Sequence, residues 1–188
     1  WEDPQAEDPL AHRYALGWMN NWAYAPDLPL GDWSGGSMST VRQLSLREVS
    51  GKSTLFSEPI AAVHKLAGDP AQTTAQDVPT GHSASVGKAE TDSYRLHVDL
   101  AQDETSPSDE AQVEIKDANG ATVTVGYNFK DQTLFLNRDK DKVASTMPEA
   151  YREIRSEHLP SDNGAVSLDV LVDTTSVEVF AQDGQASL

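Results

Sequence analysis

The residues of this sequence best suited to chemistry lie close to its start. The segment Trp18-Met19-Asn20-Asn21-Trp22-Ala23-Tyr24 places two indole rings and a phenol around two adjacent carboxamides. A flat aromatic ring can cover the apolar C–H face of a sugar, and amides can hydrogen-bond its hydroxyl groups. The segment could therefore form a sugar-binding surface, although Trp and Tyr in a strand more often belong to the core or the sheet surface.

Three motifs, in the same order along the chain, resemble those of one enzyme family. They are the segment 18–25 with Trp33 and Met38–Leu46 after it, then Leu136–Lys140, and finally Val172–Gly184. These are similar to Gly-Trp-Met-x-Asn-Trp-x-Tyr with Met-Ser-x-Pro-Arg-x-Leu-x-Leu, to Leu-Asp-Arg-Thr-Lys, and to Val-Asp-x-Ser-Ser-Val-Glu-Val-Phe-x-x-x-Gly of glycoside hydrolase family 32. That family contains the levanases, exo-inulinases and invertases. The chain departs from the patterns at Val41, Asn137 and Thr175.

The resemblance implies a retaining glycosidase, which needs two carboxylates beside the scissile bond. The family's nucleophile lies in a Trp-Met-Asn-Asp-Pro-Asn-like motif, its acid/base Glu precedes a Cys, and a third Asp lies in Arg-Asp-Pro. Here Asn21 is followed by Trp22, the chain has no cysteine, and none of its Asp-Pro pairs follows an Arg. We therefore expect no catalytic residue in this segment, and no hydrolysis by the chain alone.

Substrate contact is the role that the resemblance leaves for the aromatic segment. Trp22 is expected to line a fructose pocket at the mouth of a propeller, with Asn21 and Tyr24 as further candidates for substrate binding. Trp18 would share a face with Trp22 on a regular strand, but its position favours packing between propeller blades. Trp33 could serve as a loop wall or pack at an interface.

Alternation of apolar and polar residues predicts the elements that must position this site. It is typical of half-buried antiparallel strands, and it recurs in Tyr94–Leu100, Val113–Ile115, Val123–Val125, Leu134–Leu136, Val166–Val172 and Val177–Val179. Turn signals of the hairpin type stand at Ser50-Gly51, Asn119-Gly120, Asp131-Gln132, Asp162-Asn163-Gly164 and Asp183-Gly184. Short strands at this spacing favour a sandwich of two sheets. One short helix or turn is expected within Pro148–Arg155.

Pattern and resemblance together predict an all-β chain: the last strands of a β-propeller followed by an antiparallel β-sandwich. We expect residues 1–47 to end the catalytic propeller, 48–62 to form a linker, and 63–188 to form the sandwich, incomplete at its C-terminus. The expected partners are a fructan or sucrose substrate and the rest of the chain's own propeller domain. The resemblance implies no cofactor.

Two charged residues flank this arrangement. Arg42 could form a salt bridge between the two domains or lie in solvent, and we favour the salt bridge because a polar residue at a domain boundary usually orients structure. Glu178 alternates with Val177 and Val179, so we expect it on a wet face of its sheet.

Composition narrows the class of protein. The 188 residues carry a net charge of −16, with 30 acidic and 14 basic side chains, so neither a nucleic acid nor an anionic membrane is an expected partner. No apolar run approaches the roughly 20 residues of a membrane span, and Trp1–Pro4 does not read as a signal peptide. The five histidines are scattered, with His97 expected to face solvent, and no metal site is expected. Excess acid suits a secreted or cell-surface protein, and a cytoplasmic location stays open.

Three functions are compatible with these features. The chain could be the C-terminal part of a β-fructosidase that releases terminal fructose from levan, inulin or sucrose. It could be a lectin-like module that holds polysaccharide through Trp22 and Tyr24 by itself. It could also be a structural sandwich that stabilises or oligomerises an enzyme.

Overall fold

Short antiparallel strands make up most of the regular structure in the computed structural model. The structure describes residues 1–2, 5, 7–9, 12–29, 36–105, 107–118, 120–138 and 144–188. Its strands in chain order are β1 Arg13–Ala15, β2 Arg42–Val49, β3 Lys52–Pro59, β4 Tyr94–Ala101, β5 Glu110–Lys116, β6 Thr122–Asn128, β7 Thr133–Asn137, β8 Arg155–His158, β9 Ala165–Asp173, β10 Ser176–Ala181 and β11 Ala186–Ser187. The helices are α1 Ala61–His64 and α2 Glu149–Arg152, with 3-10 turns at Ala25–Asp27 and Ala144–Thr146. None of these helices is long and apolar enough to cross a membrane.

The strands form three antiparallel sheets in the described part of the chain, which confirms the predicted all-β class. The first sheet has the order β1-β2-β3, the second β11-β10-β9-β4, and the third β5-β6-β7-β8. Sequential strands joined by short turns pair directly. By contrast, β4 pairs with β9, and all four strands of the third sheet lie between them in the sequence. The second and third sheets are the two layers of the predicted sandwich.

The core lies between the second and third sheets. Alternate residues of β9, namely Val166, Leu168 and Val170, are buried against Tyr127 of β6 and Leu134 of β7. Such alternation follows from the two-residue period of a strand, which sends successive side chains to opposite faces. The apolar runs predicted to face inward do so, and the exposed side chain of His97 lies on the outer face of β4, as expected.

The turns occur where the sequence predicted them. Ser50 and Gly51 have φ of 49° and 76° and connect β2 to β3 in register, with Val49 opposite Lys52. Asn163 and Gly164 likewise have φ of 49° and 77°, left-handed angles typical of a two-residue turn, and they close the isolated bridge between Asp162 and Ala165. Asn119 lies outside the described residues.

The short helix and the last strand also have definite places. The helix α2, four residues long, begins after Pro148, within the range expected for a short helix. The chain turns after β10, and β11 pairs with it at the edge of the second sheet. Residues 52–59, within the range 48–62 that we expected to link the two domains, form strand β3, which pairs along the full length of β2.

The first sheet packs on the outer face of the second. Along β10, Val179 and Ala181 face the core, so Glu178 and Phe180 point outward. Both are nevertheless buried, because β2 and β3 cover them: the N–H of Ser57 donates to the carbonyl oxygen of Gly184 at 2.8 Å.

Candidate functional site

The aromatic segment is a turn, not the strand that we expected. Only Trp18 makes a β-bridge, to Met38. The side-chain oxygen of Asn21 then accepts a hydrogen bond from the N–H of Ala23 at 2.8 Å, and the backbone oxygen of Asn21 accepts one from the N–H of Tyr24 at 3.1 Å. Asn side chains commonly stabilise a turn in this way, at the expense of strand pairing.

This turn brings the two tryptophans together on the surface. The ring centroids of Trp18 and Trp22 are 5.0 Å apart with planes inclined at 57°. Trp22 is 79% exposed and Trp18 is 38% exposed, and Asn21 is exposed beside them. Two adjoining open indole faces next to a carboxamide are chemically able to hold a sugar ring.

Tyr24 points to the opposite side of the turn. It is only 6% exposed, and its Oη accepts a hydrogen bond from Nη2 of Arg138 at 3.3 Å. Its ring meets that of Tyr151 edge to face, at a centroid distance of 5.4 Å. The three candidates for substrate binding are therefore split: Trp22 and Asn21 face solvent, and Tyr24 contacts the sandwich. Trp33 lies outside the described residues.

Sequence reasoning missed the role of Arg138. It follows β7, while Tyr151 lies in α2, and Nε of Arg138 donates to the carbonyl oxygen of Tyr151 at 2.6 Å. The guanidinium carbon also lies 3.7 Å from the centroid of the Tyr151 ring. The motif Leu136–Lys140 could have pointed to it, although Asp139 and Lys140 lie outside the described residues.

A second contact between the first sheet and the sandwich centres on Glu178, and it corrects our expectation of a wet sheet face. Glu178 is only 4% exposed. Its Oε2 lies 2.8 Å from Nη2 of Arg42, and its Oε1 accepts a hydrogen bond from the N–H of Thr40 at 2.8 Å. The alternation of β10 was interpreted correctly, but the outward face is covered by another sheet. Arg42 makes the salt bridge that we favoured.

The acidic and histidine side chains of the described residues form no cluster suited to a metal ion. No group of three or more His, Asp or Glu side chains in this part of the chain could hold a metal ion. The carboxyl pKa that shifts is that of Asp173, which is lowered because the hydroxyl of Ser93 donates to it at 2.5 Å. A general acid needs a raised pKa, so this shift does not suit one.

Comparison with known proteins identifies the family. The family profile described as "Glycosyl hydrolases family 32 C terminal" matches residues 62–188. The chain belongs to glycoside hydrolase family 32. The aromatic turn therefore lies in a segment that precedes the matched C-terminal region of this family 32 chain.

Curated relatives extend the similarity over almost the whole chain. A levanbiose-producing levanase of Bacillus subtilis is 32% identical over 190 residues, which cover 98% of this family 32 chain and 35% of the levanase. An extracellular exo-inulinase of Aspergillus ficuum is 30% identical over 181 residues, covering 92% of this chain and 32% of the relative. The chain thus spans about a third of the length of these relatives.

Solved structures show the same fold. The crystal structure of the exo-inulinase from Aspergillus awamori superposes with a TM-score of 0.78 at 25% identity, covering 93% of this family 32 chain and 34% of that one. A β-fructofuranosidase from Schwanniomyces occidentalis, complexed with fructosyl-erythritol, gives a TM-score of 0.71 at 16% identity over 98% of this chain and 39% of its own. At that identity the likeness concerns the fold alone.

Proposed function

We propose that this chain is the C-terminal part of a β-fructosidase that hydrolyses terminal fructose from levan, inulin or sucrose. One observation carries the proposal: the similarity to a levanase covers 98% of this chain but only 35% of that enzyme. The other two thirds of such an enzyme would hold the two carboxylates of a retaining mechanism. The chain alone is then inactive towards fructans.

The proposed division of the chain follows from this placement. Residues 1–47 would end the catalytic β-propeller, 48–62 would link it to the sandwich, and 63–188 would form the sandwich domain. The start of the family match at residue 62 supports the second boundary. The rest of the propeller would then be the partner of the first sheet.

Substrate contact is assigned to the aromatic turn. The open face of Trp22 would cover the apolar side of a fructosyl ring, and the side-chain amide of Asn21 would bond its hydroxyl groups. Tyr24 belongs to the same turn, and its buried ring supports the two exposed residues from behind. The extracellular exo-inulinase among the relatives and the net charge of −16 support a secreted or cell-surface location.

The test uses the protein encoded by the complete reading frame around this chain. We expect fructose release from levan, inulin or sucrose, and Trp22→Ala to lower kcat/KM about 10- to 100-fold, since burying a large apolar side chain contributes about 1.5–3 kcal/mol. Trp1→Ala is the matched control, because Trp1 is also exposed but its ring lies tilted against that of Tyr14. A reading frame without fructan hydrolysis, or equal effects of the two substitutions, would contradict the proposal.

Autonomous sugar binding is the second candidate. The exposed Trp18–Trp22 pair favours it, since both rings are open in this chain alone. Titration of the 188-residue chain with fructan oligosaccharides decides the matter. Heat release and a change in Trp fluorescence, both abolished by Trp22→Ala, would support a lectin-like module, and a silent titration would rule it out.

A further inference from the structure

We propose that Arg138 is a positioning residue, which fixes the Trp22 turn to the sandwich and so sets where Trp22 meets the substrate. The substrate part of this inference rests on the proposed function. Its physical basis is a cluster of three side chains, Tyr24, Arg138 and Tyr151, which we call the arginine clasp.

The clasp joins parts of the chain that are distant in sequence. Tyr24 lies in the turn, Arg138 follows β7, and Tyr151 lies in α2; the contact from Arg138 to Tyr24 spans 114 residues. One guanidinium serves both sides, donating from Nη2 to Oη of Tyr24 at 3.3 Å and from Nε to the carbonyl oxygen of Tyr151 at 2.6 Å. Arg138 therefore bridges the turn and the helix through separate nitrogen atoms.

Ring contacts add to these hydrogen bonds. The guanidinium carbon of Arg138 lies 3.7 Å from the Tyr151 ring centroid and 5.5 Å from that of Tyr24. A cation over an aromatic face is attracted by the ring's negative face, more strongly when water is excluded, and Tyr24 is buried. Arg155 is a second cation beside the cluster: it donates to the carbonyl oxygen of Ala150 at 2.7 Å, and its guanidinium carbon lies 6.0 Å from the Tyr24 ring centroid.

The clasp reaches Trp22 through the backbone of the turn. The carbonyl oxygen of Asn21 accepts hydrogen bonds from the N–H groups of Tyr24 at 3.1 Å and Ala25 at 2.8 Å. The residues on either side of Trp22 are therefore bonded to each other, so holding Tyr24 also holds Trp22. Without Arg138, this turn would keep its local bonds, the bridge from Trp18 to Met38 with the Met19 N–H to Ser37 carbonyl bond, and the more distant contact of Arg155 with the Tyr24 ring.

Arginine is needed here for its shape as well as for its charge. Its planar group stacks on rings and presents several donors in a fixed fork, whereas the ammonium of lysine is a point charge on a flexible stem. Arg138→Lys should keep the charge and lose the stacking and the fork. This conservative variant separates geometry from electrostatics.

The first experiment measures amide hydrogen exchange in the 188-residue chain without any sugar. In Arg138→Met we expect the N–H groups of Tyr24, Ala25 and Asp27 to exchange at least about 10-fold faster, because their local opening becomes easier. The N–H groups of Val179 and Leu188 each donate to the other residue's carbonyl oxygen. Their exchange rates should be unchanged. Arg138→Lys should give an intermediate acceleration.

The matched control is Arg95→Met. Arg95 forms an ion pair with Asp169 at 2.6 Å on the outer face of the second sheet, so its loss should leave the Trp22 turn unchanged. If Arg138→Met does not fold, Tyr24→Phe replaces it, since this variant removes only the Oη atom; about 2- to 5-fold faster exchange, confined to the same turn, is then expected. Unchanged exchange of the turn, or an equal acceleration across both sheets, would overturn the positioning role.

The second experiment concerns catalysis by the protein of the complete reading frame. A poorly held binding group loses interactions that the bound substrate and the transition state share, which raises KM and leaves kcat almost unchanged. Arg138→Met should therefore raise KM for fructan about 5- to 20-fold and change kcat less than about 2-fold. A normal KM, with the turn loosened, would overturn the link to substrate. Because the exchange experiment uses no sugar, it can refute the positioning role of Arg138 without refuting the proposed function. Equally, the proposed function can be refuted while the positioning role stands.

Discussion

The carboxylate of Glu178 and the guanidinium of Arg42 meet at 2.8 Å across 136 residues of sequence. Glu178 belongs to β10 of the sandwich, and Arg42 begins β2 of the first sheet. Arg42 also donates to Oγ of Ser187 at 3.1 Å and lies over the ring of Phe180. One buried ion pair therefore holds two sheets that share no strand.

Replacing Arg42 by alanine should loosen the first sheet from the sandwich. Removing one partner of a buried ion pair leaves the other charge uncompensated, which costs about 2–5 kcal/mol of unfolding free energy. Urea denaturation measures the loss, and amide exchange along β2 and β3 shows where it acts. We expect those strands to lose protection before β9.

Arg47→Ala is the matched control on the same strand. Arg47 is exposed and pairs with Glu58, and exposed pairs contribute about 0–1 kcal/mol. Its guanidinium also lies over Phe56, so a loss of about 1 kcal/mol is expected. Equal losses in the two variants would mean that the Arg42 pair has no special place in the contact between the sheets.

Gly184→Ala should be more damaging than Gly51→Ala, although both glycines have positive φ, 81° and 76°. Gly51 has no neighbouring atom within 4 Å of the added Cβ, so its variant should lose only about 1–2 kcal/mol for the left-handed conformation. At Gly184 the Cβ would overlap the carbonyl group of Ser57. Overpacking then adds about 1–3 kcal/mol, measured as a lower denaturation midpoint. Identical midpoints would show that β3 does not press on this turn.

These cases show how far the sequence alone leads. The alternation of Val166, Leu168 and Val170 determines which face of β9 is buried, and a two-residue period needs no long-range information. The same rule places Glu178 outward, which is correct, but β2, the strand whose Arg42 then covers it, begins 136 residues earlier in the chain. Local pattern carries no signal for such a contact.

The candidate site shows a similar limit. The residue types around Trp22 were compatible with an aromatic surface or with core packing, and packing between blades was favoured for Trp18, which lies partly exposed against Trp22. The turn arises from a bond between Asn21 and Ala23, and the burial of Tyr24 arises from Arg138. The spacing of aromatic residues predicts neither a hydrogen bond from a side chain to the backbone nor a contact with an arginine that is distant in sequence.

Tyr127 should make the stability of the chain sensitive to alkaline pH. It is fully buried, its hydroxyl donates to the carbonyl oxygen of Leu159 at 2.5 Å, and burial raises its pKa, partly offset by hydrogen bonding with Ser161. A pKa raised by folding stabilises the protein below the unfolded value of about 10, and the contribution is lost as pH rises through the folded pKa.

Tyr127→Phe tests both parts of this argument. At pH 7 the variant should lose about 1–3 kcal/mol, because the carbonyl oxygen of Leu159 loses its buried donor. Above pH 10 the difference from the wild type should shrink, because only the wild type carries the Tyr127 titration. Denaturant unfolding at pH 7 and pH 11 measures this, and a constant difference would contradict the buried phenol.

The contribution of Asp173 to stability should be lost in acid, whereas that of Tyr127 is lost in alkali. The hydroxyl of Ser93 and the N–H of Thr174 donate to its carboxylate, and both lower its pKa. The stabilisation is present above the unfolded value of about 3.9 and is lost as pH falls through the lower folded pKa. Ser93→Ala should raise the pKa of Asp173, as followed by carboxyl NMR titration. Ser156→Ala, at an exposed serine of β8, should leave it unchanged; equal shifts would contradict the Ser93 bond.

Because β2 and β3 cover β10, the folded unit of this chain is larger than the region that the family profile matches. The family match begins at residue 62, after both covering strands. A fragment cut there would place the ring of Phe180 in water and remove the three donors of Glu178, which come from Thr40 and Arg42. A fragment that keeps the outer face of β10 buried must start before Thr40. A fragment expressed from the start of the family match would expose that face and would tend to aggregate.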